Sequence, residues 1–247
     1  MEWVSHLAGE AHSDQPACVS PALRAFCVSL NDNLGQNTRQ RMRPYLTRTI
    51  GTADDGLDTA RAWMAADWLI RVYTPAWLDL AGASDAAQRL AVLPGVRHGR
   101  ALVAALDPLK LARRDARAVL TGTLRGAPLA RMLPCAAARA ARKAAWASGE
   151  AAVWTMARVA AGGVLGQQAR DDATAAAQDA AAAAARRARA DAKAAGEQPG
   201  DQAGLQPTIE RLERSSLTLL DHMLPTETLE PPTGPGSESF CSRVGSI

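Results

Sequence analysis

The chain of 247 residues (26.0 kDa) is 47% hydrophobic and 4% aromatic, and its 54 alanines supply nearly half of the hydrophobic residues. This length allows one large domain or two small ones with a sizeable core, and the composition excludes collagen-like, mucin-like and cysteine-framework proteins. The net charge of +3 is modest, the four cysteines form no CxxC pair, and neither a signal peptide nor an 18-residue apolar stretch is visible. We therefore expect a cytoplasmic protein with reduced thiols and no membrane span.

Helical periodicity and capping residues predict helices through most of the N-terminal half. Ser20 followed by Pro21 is a typical N-cap and first helical residue. Thr74-Pro75 is expected to break the third helix, and Pro75 to begin a short one. The predicted helices, in chain order, span about 21–34, 38–47, 54–73, 75–80 and 84–93.

The C-terminal half is predicted to contain long alanine-rich helices. Asp107-Pro108 is typical of a cap and first residue, so we expect a helix to begin there. Residues 135–161 and 166–195 are expected to be helical, because alanine has the highest helix propensity. Gly162-Gly163 between them is typical of a turn, so we expect the two helices to form an antiparallel hairpin. Residues 196–207 are typical of a linker, 208–224 of a docked terminal helix and 225–247 of a disordered tail.

These elements predict an all-α fold, a multi-helix bundle that carries the alanine-rich hairpin and ends in the disordered tail. The helical domain is expected to cover residues 1–195. Within it, residues 1–109 form N-terminal helices and residues 110–195 form the basic and alanine-rich helices. No segment alternates convincingly enough to predict a strand.

Three segments carry a resemblance: GEAHSDQPACVSP from Gly9, RTIGTADDGLD from Arg48 and WMAADWLIRVYTPAWLDLAG from Trp63. They resemble a group of uncharacterised proteins common in actinomycetes and some of their phages. The resemblance covers about residues 2–224 and implies an alanine-, arginine- and tryptophan-rich helical half, but no activity or catalytic residue. The texture of residues 137–161 is similar, more weakly, to alanine-rich helical immunity proteins.

A small polar or metal site is one functional hypothesis. The densest group of metal-capable side chains is His12, Asp14, Cys18 and Cys27, and the first three could be ligands, yet the spacing matches no structural zinc pattern. The alternative is that Asp14 lies in a capped turn and that Cys18 and Cys27 are small buried hydrophobes.

A second group of polar side chains interrupts an otherwise apolar helix. Asp67 and Arg71 lie four residues apart in the acid-before-base order that favours an intrahelical ion pair. Together with Trp63 on the same side, and with His12 and Asp14, they could instead line a polar pocket. The sequence favours the ion pair and leaves the pocket open.

Residues 110–170 carry 11 basic and 2 acidic side chains, and form the strongest charge feature. Such a region can bind nucleic acid, an acidic partner or the acidic C-terminal part of the same chain. Solvated arginines are the alternative. The candidate surface comprises Arg113, Arg114, Arg117, Arg139, Arg142 and Lys143.

No nucleophile motif, no phosphate-binding glycine loop and no cofactor signature is present, and four histidines leave little for acid–base catalysis. We therefore expect no cofactor and favour a non-enzymatic cytoplasmic protein-interaction module, such as an immunity or accessory protein, with an unknown protein partner. A nucleic-acid-associated protein using residues 110–170 is the first alternative. A small-ligand or metal-binding enzyme with a pocket near Asp67 is the second.

Overall fold

The computed structural model describes residues 1–123, 135–162 and 204–225, and all regular structure within these ranges is helical. The predicted all-α class is therefore confirmed. None of the helices in these ranges is long and apolar enough to cross a bilayer. In chain order, the α-helices are α1 (Glu2–Leu7), α2 (Pro21–Asn33), α3 (Gln36–Gln40), α4 (Arg43–Thr47), α5 (Asp58–Trp68), α6 (Thr74–Leu80), α7 (Ser84–Ala91), α8 (Gly99–Thr121), α9 (Cys135–Gly162) and α10 (Gln206–Met223).

Local capping chemistry fixes the start of α2 where the sequence predicts it. The Ser20 hydroxyl accepts a hydrogen bond from the Leu23 backbone N–H (3.2 Å), and Pro21 is the first helical residue. The single helix predicted over 38–47 is instead two short helices, α3 and α4, with Pro44 in the first turn of α4. Helix α1, which the sequence analysis did not predict, has no side-chain cap and only six residues.

The short helix expected to begin at Pro75 is present as α6, with Pro75 in its first turn. The predicted break before it is wrong, because helix continues through Thr74-Pro75. A π-helical turn, Leu69–Tyr73, joins α5 to α6, and the Thr74 N–H donates to the Leu69 carbonyl, five residues back. Proline cannot donate a backbone hydrogen bond and crowds the preceding turn, and the wider π turn accommodates this. Apolar burial holds the joined helix in place: Leu69, Ile70, Tyr73, Trp77 and Leu78 are all fully buried.

The predicted start of a helix at Asp107-Pro108 is also wrong. Helix α8 begins eight residues before Asp107, where His98 Nδ1 accepts from the Ala101 N–H (3.3 Å), and Pro108 lies inside the helix. The carbonyl that loses its donor belongs to exposed Ala104, which water can reach. Burial of Ala105 and Leu109 on the opposite side holds the helix against the body.

Helix α9 forms the alanine-rich part of the described core. It packs against α6 and α8 through alanines that are almost wholly buried. Such small side chains allow helix backbones to approach closely, and Gly149 illustrates this because a Cβ there would lie 3.8 Å from the Arg113 Cα. The second arm of the predicted hairpin (166–195), residues 196–203 of the predicted linker and residues 226–247 of the predicted tail lie outside the described residues.

Helix α10 packs antiparallel to α5. Two hydrogen bonds define this direction: Trp68 Nε1–H donates to Ser215 Oγ (3.0 Å), and Arg61 Nε–H donates to the Met223 carbonyl (3.0 Å). The inward face of α10 is mostly apolar, with Glu213 and Ser216 as its buried polar side chains. The helix begins two residues before the predicted start at 208. Its buried apolar side chains are Leu212, Leu217, Leu219, Leu220 and Met223.

Candidate functional site

The pair Asp67 and Arg71 ties α5 and the π turn to the loop between α7 and α8. Arg71 Nε lies 3.2 Å from Asp67 Oδ1, and Arg71 Nη1–H donates to the Leu93 carbonyl (2.8 Å). Asp67 Oδ1 also accepts from the Val96 N–H (2.7 Å). Both side chains are thus occupied by loop backbone, which places Val96 in the core. This arrangement is that of a structural ion pair.

The other residues of the hypothetical pocket have separate surroundings. His12 is exposed, and its Nε2 lies 3.6 Å from Glu2 Oε1. Asp14 is exposed too. Trp63 is partly buried and packs on Ala62 and Ala66. Of the five predicted pocket residues, Asp67 and Arg71 form an ion pair, whereas His12 pairs with Glu2 instead.

Replacement of Asp67 with alanine is expected to lower the free energy of unfolding by about 1–2 kcal/mol. The change removes the acceptor for the Val96 N–H and leaves the half-buried Arg71 guanidinium without its carboxylate. Urea denaturation followed by far-ultraviolet circular dichroism measures this. Asp14→Ala is the matched control because Asp14 is exposed, and equal stability of the two variants would show that the Asp67 tether contributes nothing.

The surroundings of the first two cysteines are apolar. Neither Cys18 nor Cys27 forms a disulfide, and each is 1% exposed. Burial raises the pKa of the Cys27 thiol to about 12, so this thiol is neutral and unreactive at physiological pH. Among the described residues, no group of three or more His, Cys, Asp or Glu side chains is placed to hold a metal ion.

The predicted basic surface is divided between engaged and free side chains. Arg113 donates through Nε–H to Glu150 of α9, and its guanidinium lies 5.7 Å from the centre of the Trp146 ring. This contact joins α8 to α9 and occupies Arg113. Arg142 is half-buried. The exposed members of the predicted surface are Arg114, Arg117, Arg139 and Lys143.

Apolar side chains lie beside the free basic groups on α8, and the sequence analysis did not identify them as surface residues. Val103, Leu106 and Leu111 are 66%, 38% and 47% exposed. Helical periodicity could have placed these side chains outside the buried stripe of α8. The helix was predicted to begin at Asp107, however, which is after Val103 and Leu106. Hereafter, the outward face of α8 denotes Val103, Leu106, Lys110, Leu111, Arg114 and Arg117.

A buried ionic cluster around Arg61 was also missed. The Arg61 side chain is 1% exposed, and its Nη1–H donates to Asp55 Oδ1 (2.8 Å). Asp58 Oδ1 lies 3.4 Å from the same nitrogen and accepts from the Ser20 hydroxyl. The cluster therefore links the starts of α2 and α5 with the Met223 carbonyl of α10. This cluster has a structural role, since Arg61, Asp55, Asp58 and Ser20 all bind groups of the same chain.

Two further contacts hold α10. Near the middle of the helix, Glu213 is 8% exposed and accepts from the Gly35 N–H (3.2 Å) and the Thr38 hydroxyl (2.8 Å). Near its C-terminal end, Arg48 Nη2–H donates to the Pro225 carbonyl (3.0 Å), and Nη1 binds Asp221. On the outward face of α8, by contrast, exposed apolar side chains lie on the same helix as the exposed cations Arg114 and Arg117.

Comparison of the chain with protein-family models, with curated proteins and with solved structures found no match in any of the three.

Proposed function

We propose that the chain is a non-enzymatic cytoplasmic protein-interaction module that binds its partner through the outward face of α8. The observation that carries this proposal is the exposure of Val103, Leu106 and Leu111 on the same helix as the free cations Arg114 and Arg117. Exposed apolar side chains that are combined with arginine are typical of protein-binding surfaces.

Several contacts favour a protein partner over nucleic acid. Arg113 pairs through Nε–H with Glu150, and this carboxylate offsets its positive charge in the middle of the basic region. Trp146, the aromatic side chain beside it, is half-buried beneath that guanidinium and is poorly placed to stack on a base. Phosphate binding also gives no role to Val103 and Leu106, which a protein partner would bury.

The ligand-binding alternative near Asp67 is less well supported. Asp67 and Arg71 pair with each other, and each makes a hydrogen bond to the backbone of the loop residues Leu93 or Val96, which gives both side chains a structural role. A role as an immunity or accessory protein is the form of the proposed function that the resemblance of residues 137–161 implies.

The proposal is tested by affinity capture from the native host with wild-type chain and with the double variant Arg114→Glu/Arg117→Glu. We expect a protein retained in near-equal amount by wild type, resistant to nuclease, and reduced at least about tenfold by the variant. Reversal of two interfacial charges typically costs more than one tenfold step in affinity. Quantitative mass spectrometry measures the retained amounts.

The matched control is Arg41→Glu/Arg43→Glu, which changes the net charge equally at two exposed arginines of the α3–α4 region. It should retain the partner as wild type does. Partners that disappear after nuclease treatment would contradict the proposal and favour nucleic acid. Equal loss in both double variants would contradict the assignment to α8.

A further inference from the structure

We infer that the occupant of the outward face of α8 is an acidic amphipathic helix of the partner protein; this inference rests on the proposed function. The face is divided along its length. Val103 and Leu106 lie in its N-terminal half, whereas Lys110, Arg114 and Arg117 lie in its C-terminal half. Exposed Asp107, between the two halves, lies 3.4 Å from Lys110 Nζ, so Arg114 and Arg117 carry the uncompensated positive charge. A complementary occupant must present apolar groups to the first half and carboxylates to the second.

The spacing of these positions suits a helical occupant. Residues 103, 106, 110, 114 and 117 follow one another at intervals of three and four, so they lie along one side of α8. Fourteen residues of helix span about 21 Å, which is four turns. A partner helix repeats its own side chains at the same interval, whereas a strand alternates at every second residue and needs a sheet edge. No strand is present in the described ranges.

Helix dipoles favour an antiparallel orientation of the partner. In that orientation the N-terminal half of the partner lies over Lys110, Arg114 and Arg117. Acidic residues in the N-terminal half of a helix also stabilise that helix against its own macrodipole. The matching pattern is therefore acidic side chains at i, i+3 and i+7 and apolar side chains at i+11 and i+14.

A second copy of the chain matches this face poorly. Lys110 lies midway between Val103 and Arg117, so antiparallel pairing of two α8 helices around a two-fold axis would place Lys110 against its own copy. Parallel pairing would oppose Arg114 and Arg117 to themselves. Like charges that face each other across an interface oppose association.

The test uses the full chain and a fluorescein-labelled synthetic peptide of about 18 residues. The peptide carries Glu at i, i+3 and i+7 and Leu at i+11 and i+14 in an alanine–glutamine background. By fluorescence anisotropy at low ionic strength we expect a dissociation constant on the order of 10–100 μM. A peptide with Gln in place of Glu should bind about tenfold more weakly, as should the charged peptide to Arg114→Glu/Arg117→Glu.

The same control, Arg41→Glu/Arg43→Glu, should bind the charged peptide as wild type does, and thermal unfolding by circular dichroism shows whether each variant is folded. Equal binding of the Glu and Gln peptides, or of the two double variants, overturns the inference. Binding without a rise in peptide helicity also overturns it. Sedimentation that reveals a dimer lost in Leu106→Ser assigns the face to a second copy instead.

The two proposals fail separately. If host capture yields a partner that depends on Arg114 and Arg117 but the peptide does not bind, the acidic-helix occupant is wrong and the protein-interaction function stands. If neither experiment shows dependence on these residues, both proposals are wrong. If duplex DNA of about 20 base pairs binds wild type and not Arg114→Glu/Arg117→Glu, with steep salt dependence, the face belongs to nucleic acid and both are overturned.

Discussion

Replacement of Arg61 with methionine is expected to lower the free energy of unfolding by about 3 kcal/mol. Methionine fills similar space but cannot donate to Asp55, to Asp58 or to the Met223 carbonyl. Removing one member of a buried ionic cluster typically costs about 3–5 kcal/mol, because the remaining charges lose their counterion. The lower end applies here, since the carboxylates of Asp55 and Asp58 are 22% and 20% exposed and can be partly hydrated.

Urea denaturation of wild type, Arg61→Met, Arg61→Lys and Arg41→Met measures this effect. Lysine keeps the charge but has a single nitrogen. It therefore cannot donate to both Asp55 and the Met223 carbonyl from two separate nitrogens, as the planar guanidinium of Arg61 does. We expect roughly 1–2 kcal/mol of destabilisation for Arg61→Lys. Arg41 is exposed, and Arg41→Met should lie within about 0.5 kcal/mol of wild type. Wild-type stability of Arg61→Met would show that the cluster is dispensable.

The same cluster explains how the C-terminal helix is attached to the body. Arg61 binds the last turn of α10, where unpaired carbonyls carry partial negative charge. Glu213 accepts from the Gly35 N–H and the Thr38 hydroxyl at the N-terminus of α3. The backbone N–H groups of that terminus carry partial positive charge, opposite in sign to the carbonyls that Arg61 binds. These polar contacts therefore fix the direction in which α10 packs on the other helices, whereas apolar burial alone would not distinguish between two opposite directions.

Features governed by neighbouring residues could be predicted from the sequence. The start of α2 follows from Ser20 and Pro21, and the ion pair of Asp67 with Arg71 from their spacing. The two errors at Pro75 and Pro108 share a cause. A proline in the sequence shows that one backbone hydrogen bond of a helix is lost. Whether the helix continues past it depends on how much apolar surface the next turn buries. That burial depends on helices that are distant in the sequence.

The Arg61 cluster could not be predicted for the same reason. Its local signal, Asp58 three residues before Arg61, resembles many exposed i,i+3 pairs. Burial of the guanidinium depends on the Met223 carbonyl, which is 162 residues away in the chain. Likewise, the free and engaged arginines of the basic region differ only through Glu150, which binds Arg113 and leaves Arg114 exposed.

Replacement of Ala105 with leucine is expected to destabilise the protein by about 2–3 kcal/mol, whereas leucine at the adjacent Ala104 should be neutral. Ala105 is 1% exposed on the inward side of α8, and Ala104 is exposed on the same helix. Leucine has nearly the helix propensity of alanine, so the two variants differ only in the space available to the added carbons. Overpacking of a filled interior typically costs about 1–3 kcal/mol.

The comparison tests how alanine stabilises this fold. An alanine buries little apolar area, so its transfer from water contributes little to the stability of the folded state. Dispersion contacts between closely packed helices must therefore supply the remaining stabilisation. The fully buried Ala144 and Ala145 of α9 lie in that kind of surface. Differential scanning calorimetry of the two α8 variants measures the effect. A stabilising Ala105→Leu would show unfilled space beneath α8, and the alanine-rich core would then be loosely packed rather than tightly apposed.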